Sequence, residues 1–496
     1  MKRTEKNKIL IALSISIVLV NLLFGVNFLV LGKDMPLELS LSNVTNLALE
    51  NSLDIQIAKF DAYISKTSLL KTESIFDTFL EIEASYDRDK KAQTSTILGN
   101  LTKEHGLSVG LEKKLPTGTT ISLDANGKKN RSDSVFSTLN PYNESLLELS
   151  VTQELGKNFF GLADRSDIKI TKIDIENSSF TSLDSIETVL ADVQEAYWNF
   201  ALKDTELFIK KDMLNEAEKL YETYKDKFDL GLVEESELLA VEALVYTRRS
   251  DVAIADLNRE TAKNALLFLV NKGDFEEKII PTDNLACPIE AVDLYTALSE
   301  AVEYRRDYKR IKNDLRKNKI NIVVKKNALW PQIDLEASLI RNNLNSDRRQ
   351  AWEDIATDSN DEISLLLRFK VPLENRAAKS ELEKVKLENG RSILLLKRTE
   401  RLILQEINDK VKEVNTAKKK VRLFKKIVQL HRKKLAEAVK RFNFGRSDSD
   451  TLIQYEEDLL QARLSLASAL FDYRVGLIRL ESAKNTLLDK YWVDEL

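Results

Sequence analysis

One twelve-residue phrase occurs twice in this chain. The first copy is FDLGLVEESELL, residues 228–239, and the second is FNFGRSDSDTLI, residues 442–453, an offset of 214 (442 − 228). Each copy has an aromatic residue, a glycine three residues later, a short acidic run and then a leucine-led amphipathic stretch. The match continues downstream, where Glu242 aligns with Glu456 and Arg249 with Arg463. This repetition predicts an internal duplication.

A second pair of matches extends the duplication towards the N-terminus. FLEIEASY, residues 79–86, aligns with QIDLEASL, residues 332–339, at an offset of 253 (332 − 79). ALENSLD, residues 48–54, aligns with AVEYRRD, residues 301–307, at the same offset. The offset then falls by 39 (253 − 214), so the first repeat contains about 39 extra residues. The predicted repeats cover residues 37–284 and 289–496.

Composition favours long helices and excludes several kinds of site. The 496 residues include only 14 Gly and 7 Pro, and 31% are charged. The net charge of −4 gives no reason to expect nucleic acid as a partner. Cys287 is the single cysteine and the two histidines lie far apart, so neither a disulfide framework nor a metal-binding pattern is present. The sequence therefore predicts no catalytic residue, no metal site and no cofactor.

Alternating apolar and polar residues predict strands in both repeats, over about 79–154 and about 332–371. In LEIEASYDR, for example, Leu80 and Ile82 fall on one face and Glu81 on the other. The extra residues of the first repeat contain a predicted hairpin near 104–127, with its turn at Pro-Thr-Gly, residues 116–118. Such alternation fits a half-exposed sheet, and it fits equally well the wall of a transmembrane barrel with a wet lumen.

Long helical hairpins are predicted over about 155–272 and about 374–490. Each outgoing helix would have ~70 residues and a length of about 100 Å. In the last helix the apolar positions recur every three or four residues, which is typical of a coiled-coil seam; they are Leu452, Tyr455, Leu459, Ala462, Leu466, Leu470, Tyr473, Leu477 and Leu480. Glycine at each tip predicts a left-handed C-cap. Ser236, and Ser449 or Asp450, are the candidate N-caps of the returning helices.

The N-terminal segment, residues 1–32, predicts export of the rest of the chain. The basic stretch MKRTEKNK precedes an apolar run from Ile9 to Gly32. This pattern is typical of a signal peptide, and the run is also long enough to span a bilayer as an uncleaved anchor.

The order of these elements is familiar. The chain resembles the TolC-like outer-membrane efflux protein family. The resemblance is carried by four segments in their order within a duplicated chain, namely LSNVTNLALENSLDI, LELSVTQELGKNFFGLADRSDIKITKIDIENS, DVQEAYWNFALKDTEL and NALWPQIDLEASL. The resemblance implies a mixed, mainly α fold, in which long antiparallel coiled-coil hairpins form a periplasmic tunnel. It also implies strands that three copies contribute to one shared transmembrane β-barrel. The usual family protomer supplies four strands, and the extra hairpin either adds two or folds outside the wall.

The function implied by the resemblance is a passive exit duct of a tripartite efflux or type I secretion system. The expected partners are two further copies of the chain, a periplasmic adaptor, an inner-membrane pump and outer-membrane lipid. The expected location is the outer membrane, with the tunnel in the periplasm. The alternative is a periplasmic coiled-coil adaptor or scaffold that keeps Ile9 to Gly32 as an inner-membrane anchor.

The resemblance also implies roles for the two hairpin tips. LGL resembles the family's Val-Gly-Leu docking tip and FGR departs from it; the expected adaptor-docking residues are Leu230, Gly231, Leu232, Phe444, Gly445 and Arg446. Acidic rings near the tips imply aperture candidates, which are Glu237, Asp448, Asp450, Glu234 and Glu235, and Phe442 stands in place of a gating tyrosine. The alternative is that these acids have no role at an aperture, since the helix dipole alone favours carboxylates in the first turn of a helix.

Overall fold

The structure is a computed structural model that describes most of the chain between residues 37 and 491. The exceptions are the short segments 92–98, 135–137, 274–275, 277, 287, 289–291, 358–359 and 444–448. The predicted export segment, 1–32, lies outside the described residues. So do four of the predicted site residues, namely Phe444, Gly445, Arg446 and Asp448.

The first repeat contains a three-residue strand, two shorter helices, four long strands and a long helical hairpin. Its elements are β1 (Leu37–Leu39), α1 (Leu41–Asn51), α2 (Leu53–Glu73), β2 (Thr78–Asp89), β3 (Thr102–Lys114), β4 (Thr119–Ser132), β5 (Tyr142–Glu154), α3 (Leu162–Asp229) and α4 (Glu235–Leu269). The start of α1 is fixed by Ser40, whose hydroxyl accepts a hydrogen bond from the Asn43 amide at 3.2 Å. At 68 residues, α3 is about 100 Å long.

Near the end of the first repeat, β6 (Ile279–Pro281) pairs with β1 in parallel. The second repeat has the same order of long elements, with two long strands instead of four and one extra short helix between them. Its elements are α5 (Leu294–Tyr304), α6 (Arg306–Asn327), β7 (Gln332–Asn345), α7 (Arg348–Glu353), β8 (Asp361–Lys370), α8 (Arg376–Asn443) and α9 (Ser449–Lys484). The bounds of α8 are those of α3 moved by 214 residues, and those of α5 are those of α1 moved by 253. The predicted duplication and long helices are confirmed.

Six strands form one antiparallel sheet in the order β2-β3-β4-β5-β7-β8. The predicted hairpin near 104–127 supplies β3 and β4 and therefore lies within the sheet. Its turn is tight because Gly118, with φ +69°, approaches the left-handed Gly161 just before α3. A Cβ atom on Gly118 would come within 2.5 Å of the Gly161 nitrogen, so neither position has room for a side chain.

The core lies among the helices. Buried side chains of α3, such as Leu190 and Tyr197, and of α8, such as Ile407 and Val414, belong to one core cluster, and α9 packs against both helices. The Tyr197 hydroxyl donates a hydrogen bond to the Asp283 carboxylate at 2.8 Å and so holds the linker between the repeats. Among the described residues, no helix is both long enough and apolar enough to cross a membrane.

A buried ion pair joins the two repeats. Arg306, at the start of α6, contacts the carboxylate of Glu187 in α3, and both side chains are almost fully buried. Glu187 also accepts hydrogen bonds from the Leu487 amide at 2.9 Å and from the Asn485 side chain at 3.2 Å. Three distant parts of the chain therefore meet at this carboxylate.

Candidate functional site

One face of the six-stranded sheet is apolar across its whole width. A single register row places six aliphatic side chains next to one another, one from each strand; they are Leu80, Leu111, Leu123, Leu149, Leu339 and Ile363. All six are exposed, which is unusual for aliphatic side chains that form a contiguous patch. This apolar face of the sheet therefore suits contact with an apolar environment outside the single chain.

The opposite face of the sheet is polar and acidic. The neighbouring row contains four carboxylates among its six positions, namely Glu81, Asp124, Glu148 and Glu362. Gly110 and Ile340 complete the row, and a Cβ atom on Gly110 would lie 2.5 Å from the Asp124 carboxylate. Sequence reasoning did not single out these acids as a group, because alternation gives the face of each residue but not the pairing between strands.

The first hairpin tip is a glycine turn between two exposed leucines. Gly231 has φ +72°, the left-handed conformation predicted for the cap of α3. Its amide donates to the Phe228 carbonyl at 2.8 Å. Leu230 and Leu232 are 73% and 69% exposed. An apolar tip of this kind is available to a binding partner.

The acidic candidates beside this tip lie in the first turn of α4 or just before it. Glu234 is the N-cap residue, and Glu235 and Glu237 follow within the first turn. The prediction that Ser236 caps this helix is wrong: the N-cap lies two residues earlier, at Glu234, and the Ser236 hydroxyl lies 3.5 Å from the Glu234 carboxylate instead. Asp450 occupies the corresponding first turn of α9 and is exposed.

Phe442, one of the aperture candidates, is a packing residue in the single chain. Its ring is buried, stacks on Tyr224 with the ring centroids 5.0 Å apart, and lies 3.7 Å from the Lys227 ammonium. Val241 and Leu452 belong to the same cluster. Phe442 therefore holds the ends of the two hairpins together.

Two arginines join the hairpins further from the tips. Arg248 in α4 donates to Glu457 in α9 at 2.9 Å, and Arg463 in α9 donates to Asp212 in α3 at 2.6 Å. Arg463 was singled out by the repeat, but Arg248 was not. A signal for Arg248 existed, because it follows Val241 and Val245 at helical spacing and so occupies a core-facing position.

Glu456 is a buried carboxyl close to this junction. One of its oxygens, Oε2, has no hydrogen-bond partner within the part of the chain that the structure describes. Burial raises the pKa of Glu456 from its ordinary 4.5 to about 7, although the charge of Arg248 acts in the opposite direction. Near neutral pH this carboxyl is thus partly protonated, and folding favours the neutral form.

Replacing Glu456 with glutamine should remove a pH-dependent loss of stability. The pKa of Glu456 is higher in the folded than in the unfolded protein, so below about pH 4.5, where the carboxyl is neutral in both states, its burial costs no stability. As the pH rises through 7, the free energy of unfolding falls by about 3 kcal/mol. We expect Glu456→Gln to match the unsubstituted protein at pH 5 and to exceed its stability at pH 8. Urea unfolding followed by circular dichroism measures this. Glu242→Gln, at the repeat-related position, is the control; equal pH profiles for all three proteins would contradict the expectation.

The comparisons with known proteins agree with this geometry. Residues 118–272 match the family described as outer membrane efflux protein, and no curated protein sequence matches the chain. The structure is similar to that of the channel protein CusC, with TM-score 0.69 and 15% identity over 92% of this chain and 95% of that one.

The structures of two bacterial outer membrane channels are similar as well. For CmeC of Campylobacter jejuni, the TM-score is 0.65 at 16% identity, over 90% of this chain and 85% of that one. For MtrE of Neisseria gonorrhoeae in its open state, it is 0.65 at 17% identity, over 90% and 89%. These findings confirm the resemblance predicted from the sequence: the chain has the fold of the outer membrane channels, and its residues 118–272 match the model of the outer membrane efflux protein family.

Proposed function

We propose that this protein is the outer-membrane exit duct of a tripartite efflux or type I secretion system. The sheet forms part of a barrel wall in the outer membrane, and the helical hairpins form a tunnel in the periplasm. The duct carries substrates passively, and an inner-membrane pump supplies the energy. No catalytic step is required of the chain itself.

The observation that carries this proposal is the row of six exposed aliphatic side chains from Leu80 to Ile363. Lipid is the environment that suits such a face, whereas the acidic face behind it suits a water-filled lumen. Outer-membrane barrels have this alternation of apolar and polar faces on every strand. A periplasmic scaffold would have no use for so wide an exposed apolar surface.

The assembly we propose is a homotrimer. In lipid every backbone polar group needs a partner, so a sheet with two open edges is not stable there on its own. Rotational symmetry lets copies of the same chain close the wall. The repeated helical hairpins would close the tunnel in the same way, with their tips at its periplasmic end.

Membrane fractionation of the expressed protein in a host with two membranes tests the proposal. We expect a trimer in the outer-membrane fraction, and the N-terminal sequence of the mature form will show whether residues 1–32 are removed. Full-length monomer in the inner membrane would support the anchored adaptor or scaffold instead and overturn the duct.

The acidic row predicts a preference for cations. A trimer carries twelve of these carboxylates (4 × 3), and like charges lining a pore attract counter-ions. We expect the combined changes Glu81→Gln, Asp124→Asn, Glu148→Gln and Glu362→Gln to lower the cation-to-anion permeability ratio several-fold. Reversal potentials in a salt gradient across a planar bilayer measure this ratio. Changing Glu148 and Glu362 alone should have an intermediate effect, and an unchanged ratio in both variants would place the row away from the ion path.

The exposed leucines of the first tip predict an adaptor contact. Leu230→Asp with Leu232→Asp should abolish co-purification of the periplasmic adaptor and drug efflux, because a buried interface at the tip would gain two unpaired charges. The amount of trimer should stay the same, since both side chains are exposed. Leu239→Asp, at an exposed leucine about one turn into α4, is the control. Normal efflux in the tip variant would exclude Leu230 and Leu232 from docking.

A further inference from the structure

The sheet of one chain ends in two edges that differ from its interior. Among the described strands, β2 pairs only with β3, and β8 pairs only with β7. Along the apolar row, the side chains of the four inner strands are 39–43% exposed, whereas Leu80 on β2 is 61% and Ile363 on β8 is 80% exposed. The exposed fraction is higher on these two strands because each of them lacks a neighbouring strand on one side.

Neither edge has a feature that would prevent pairing with another strand. β2 is 12 residues long and β8 is 10, and neither contains proline. Natural sheets shield free edges with proline, bulges or inward-pointing charges, because an open apolar edge recruits another chain. Both edges instead place apolar side chains on the same face, among them Ile82 on β2 and Leu365 on β8.

The two edges also run in the right directions to pair with each other. All five pairings between β2 and β8 are antiparallel, so β2 and β8 themselves point in opposite directions. A copy of the chain placed beside β2 can therefore add its β8 and continue the antiparallel sheet. The apolar row would then continue from Ile363 of one copy onto the apolar face of the next copy's β2, displaced along that strand by the stagger that a closed barrel requires.

The β3–β4 hairpin is an integral part of this wall. β3 pairs with β2 over 12 residues and β4 pairs with β5 over 12, and both carry the apolar row through Leu111 and Leu123. Its turn is short and packs against Gly161, at the end of the sheet where the long helices begin. The connections at the other end, such as residues 90–101 and 346–360, are longer. Barrels of the outer membrane have short turns on the periplasmic side and longer loops outside.

We propose that β2 of each copy pairs with β8 of the next, so that the homotrimer closes an eighteen-stranded wall (6 × 3). This inference rests on the proposed function for the number of copies. Barrel diameter grows roughly linearly with strand number, so eighteen strands give about one and a half times the diameter that twelve would give. Barrels of 16–18 strands leave an open aqueous channel. The added hairpin therefore widens the exit, and the duct would take bulky substrates at its outer end.

Cysteine cross-linking across the edges tests the pairing. In a Cys287→Ser background, Ser85→Cys on β2 is combined in turn with Glu362→Cys, Ser364→Cys and Arg368→Cys on β8, which share the polar face and scan the register. Outer membranes are treated with a short bismaleimide and analysed by denaturing electrophoresis. We expect at least one pair to give covalent dimers and trimers, with the trimer as the largest species.

The controls separate the possible failures. Each single cysteine variant should stay monomeric on the gel, and so should Ser85→Cys with Ser150→Cys, because β5 is three strands away from β2 in the sheet. Native mass spectrometry of the untreated protein counts the copies independently. A native trimer without cross-links from any pair would overturn the edge pairing and leave the duct intact. A ladder that stops at the dimer would overturn the count of eighteen strands, and a monomer would overturn the proposed function itself.

Discussion

Leu123→Arg is expected to prevent the stable insertion of this protein in the outer membrane. Leu123 lies in the centre of the apolar row, between Leu111 and Leu149 on the neighbouring strands. An arginine on the lipid face near the bilayer midplane costs about 2–4 kcal/mol. A closed trimer contains the substitution three times, so the total cost approaches the whole stability of a typical domain. We expect the outer-membrane trimer to be nearly absent, with the chain degraded or aggregated in the periplasm.

The matched control is Asn126→Arg, three residues along the same strand and on the polar face. It introduces the same charged side chain on the face that the proposed duct assigns to the lumen. We expect its trimer to accumulate almost normally, because arginine in a wet, acidic lumen remains solvated. The two variants are compared by quantitative immunoblotting of outer-membrane fractions. Equal amounts of both trimers would show that the face of Leu123 does not meet lipid.

Arg306→Met is expected to destabilise the helical part of the protein by about 3–5 kcal/mol. The substitution leaves the Glu187 carboxylate buried without its counter-ion, although the Leu487 amide still donates to it. Burial already raises the pKa of Glu187, since the anion is poorly solvated there. Without Arg306 this carboxyl should be protonated over a wider pH range, so the loss of stability should be smaller at pH 5 than at pH 8. Urea unfolding at both pH values measures it.

A double-mutant cycle shows whether the pair itself is responsible. Arg306→Met with Glu187→Leu removes both charges, and this variant should recover much of the stability that Arg306→Met alone loses. Arg310→Met is the control one turn further along α6. Arg310 is more exposed and lies 3.5 Å from Asp184, so its loss should cost no more than about 1 kcal/mol. If Arg306→Met and Arg310→Met behave alike, Arg306 does not neutralise a buried charge in the folded protein.

The long helices and the duplication could be predicted from the sequence because their signals are local. A scarcity of glycine and proline, a coiled-coil seam and a repeated glycine tip all act within a few helical turns. The structure accordingly places α8 at the position of α3 plus 214 residues, as the repeated phrase implied. The left-handed conformation of Gly231 is likewise a property of one turn.

The remaining features depend on contacts between residues far apart in the chain. Alternation assigned Leu80 and Leu149 to apolar faces, but only the strand register places them in one row with the other four aliphatic side chains. No sequence pattern around Arg306 or Glu187 predicts that they pair, because they are 119 residues apart (306 − 187). The wrong cap at Ser236 has a different origin: Glu234 is the N-cap although its side chain makes no capping hydrogen bond, so the capping preference of serine did not decide where the helix begins.

The location of the β3–β4 hairpin has a consequence for how the proposed duct would change in evolution. A hairpin returns the chain to the end of the sheet from which it left, so its insertion leaves the start of α3 where a shorter chain would have it. The two repeats show this directly, because α3 and α8 have the same length although four strands precede one and two precede the other. Exit width and tunnel length are thus inherited separately. A lineage can enlarge its outer opening in steps of two strands per copy while the surfaces that meet the rest of the export machinery stay unchanged.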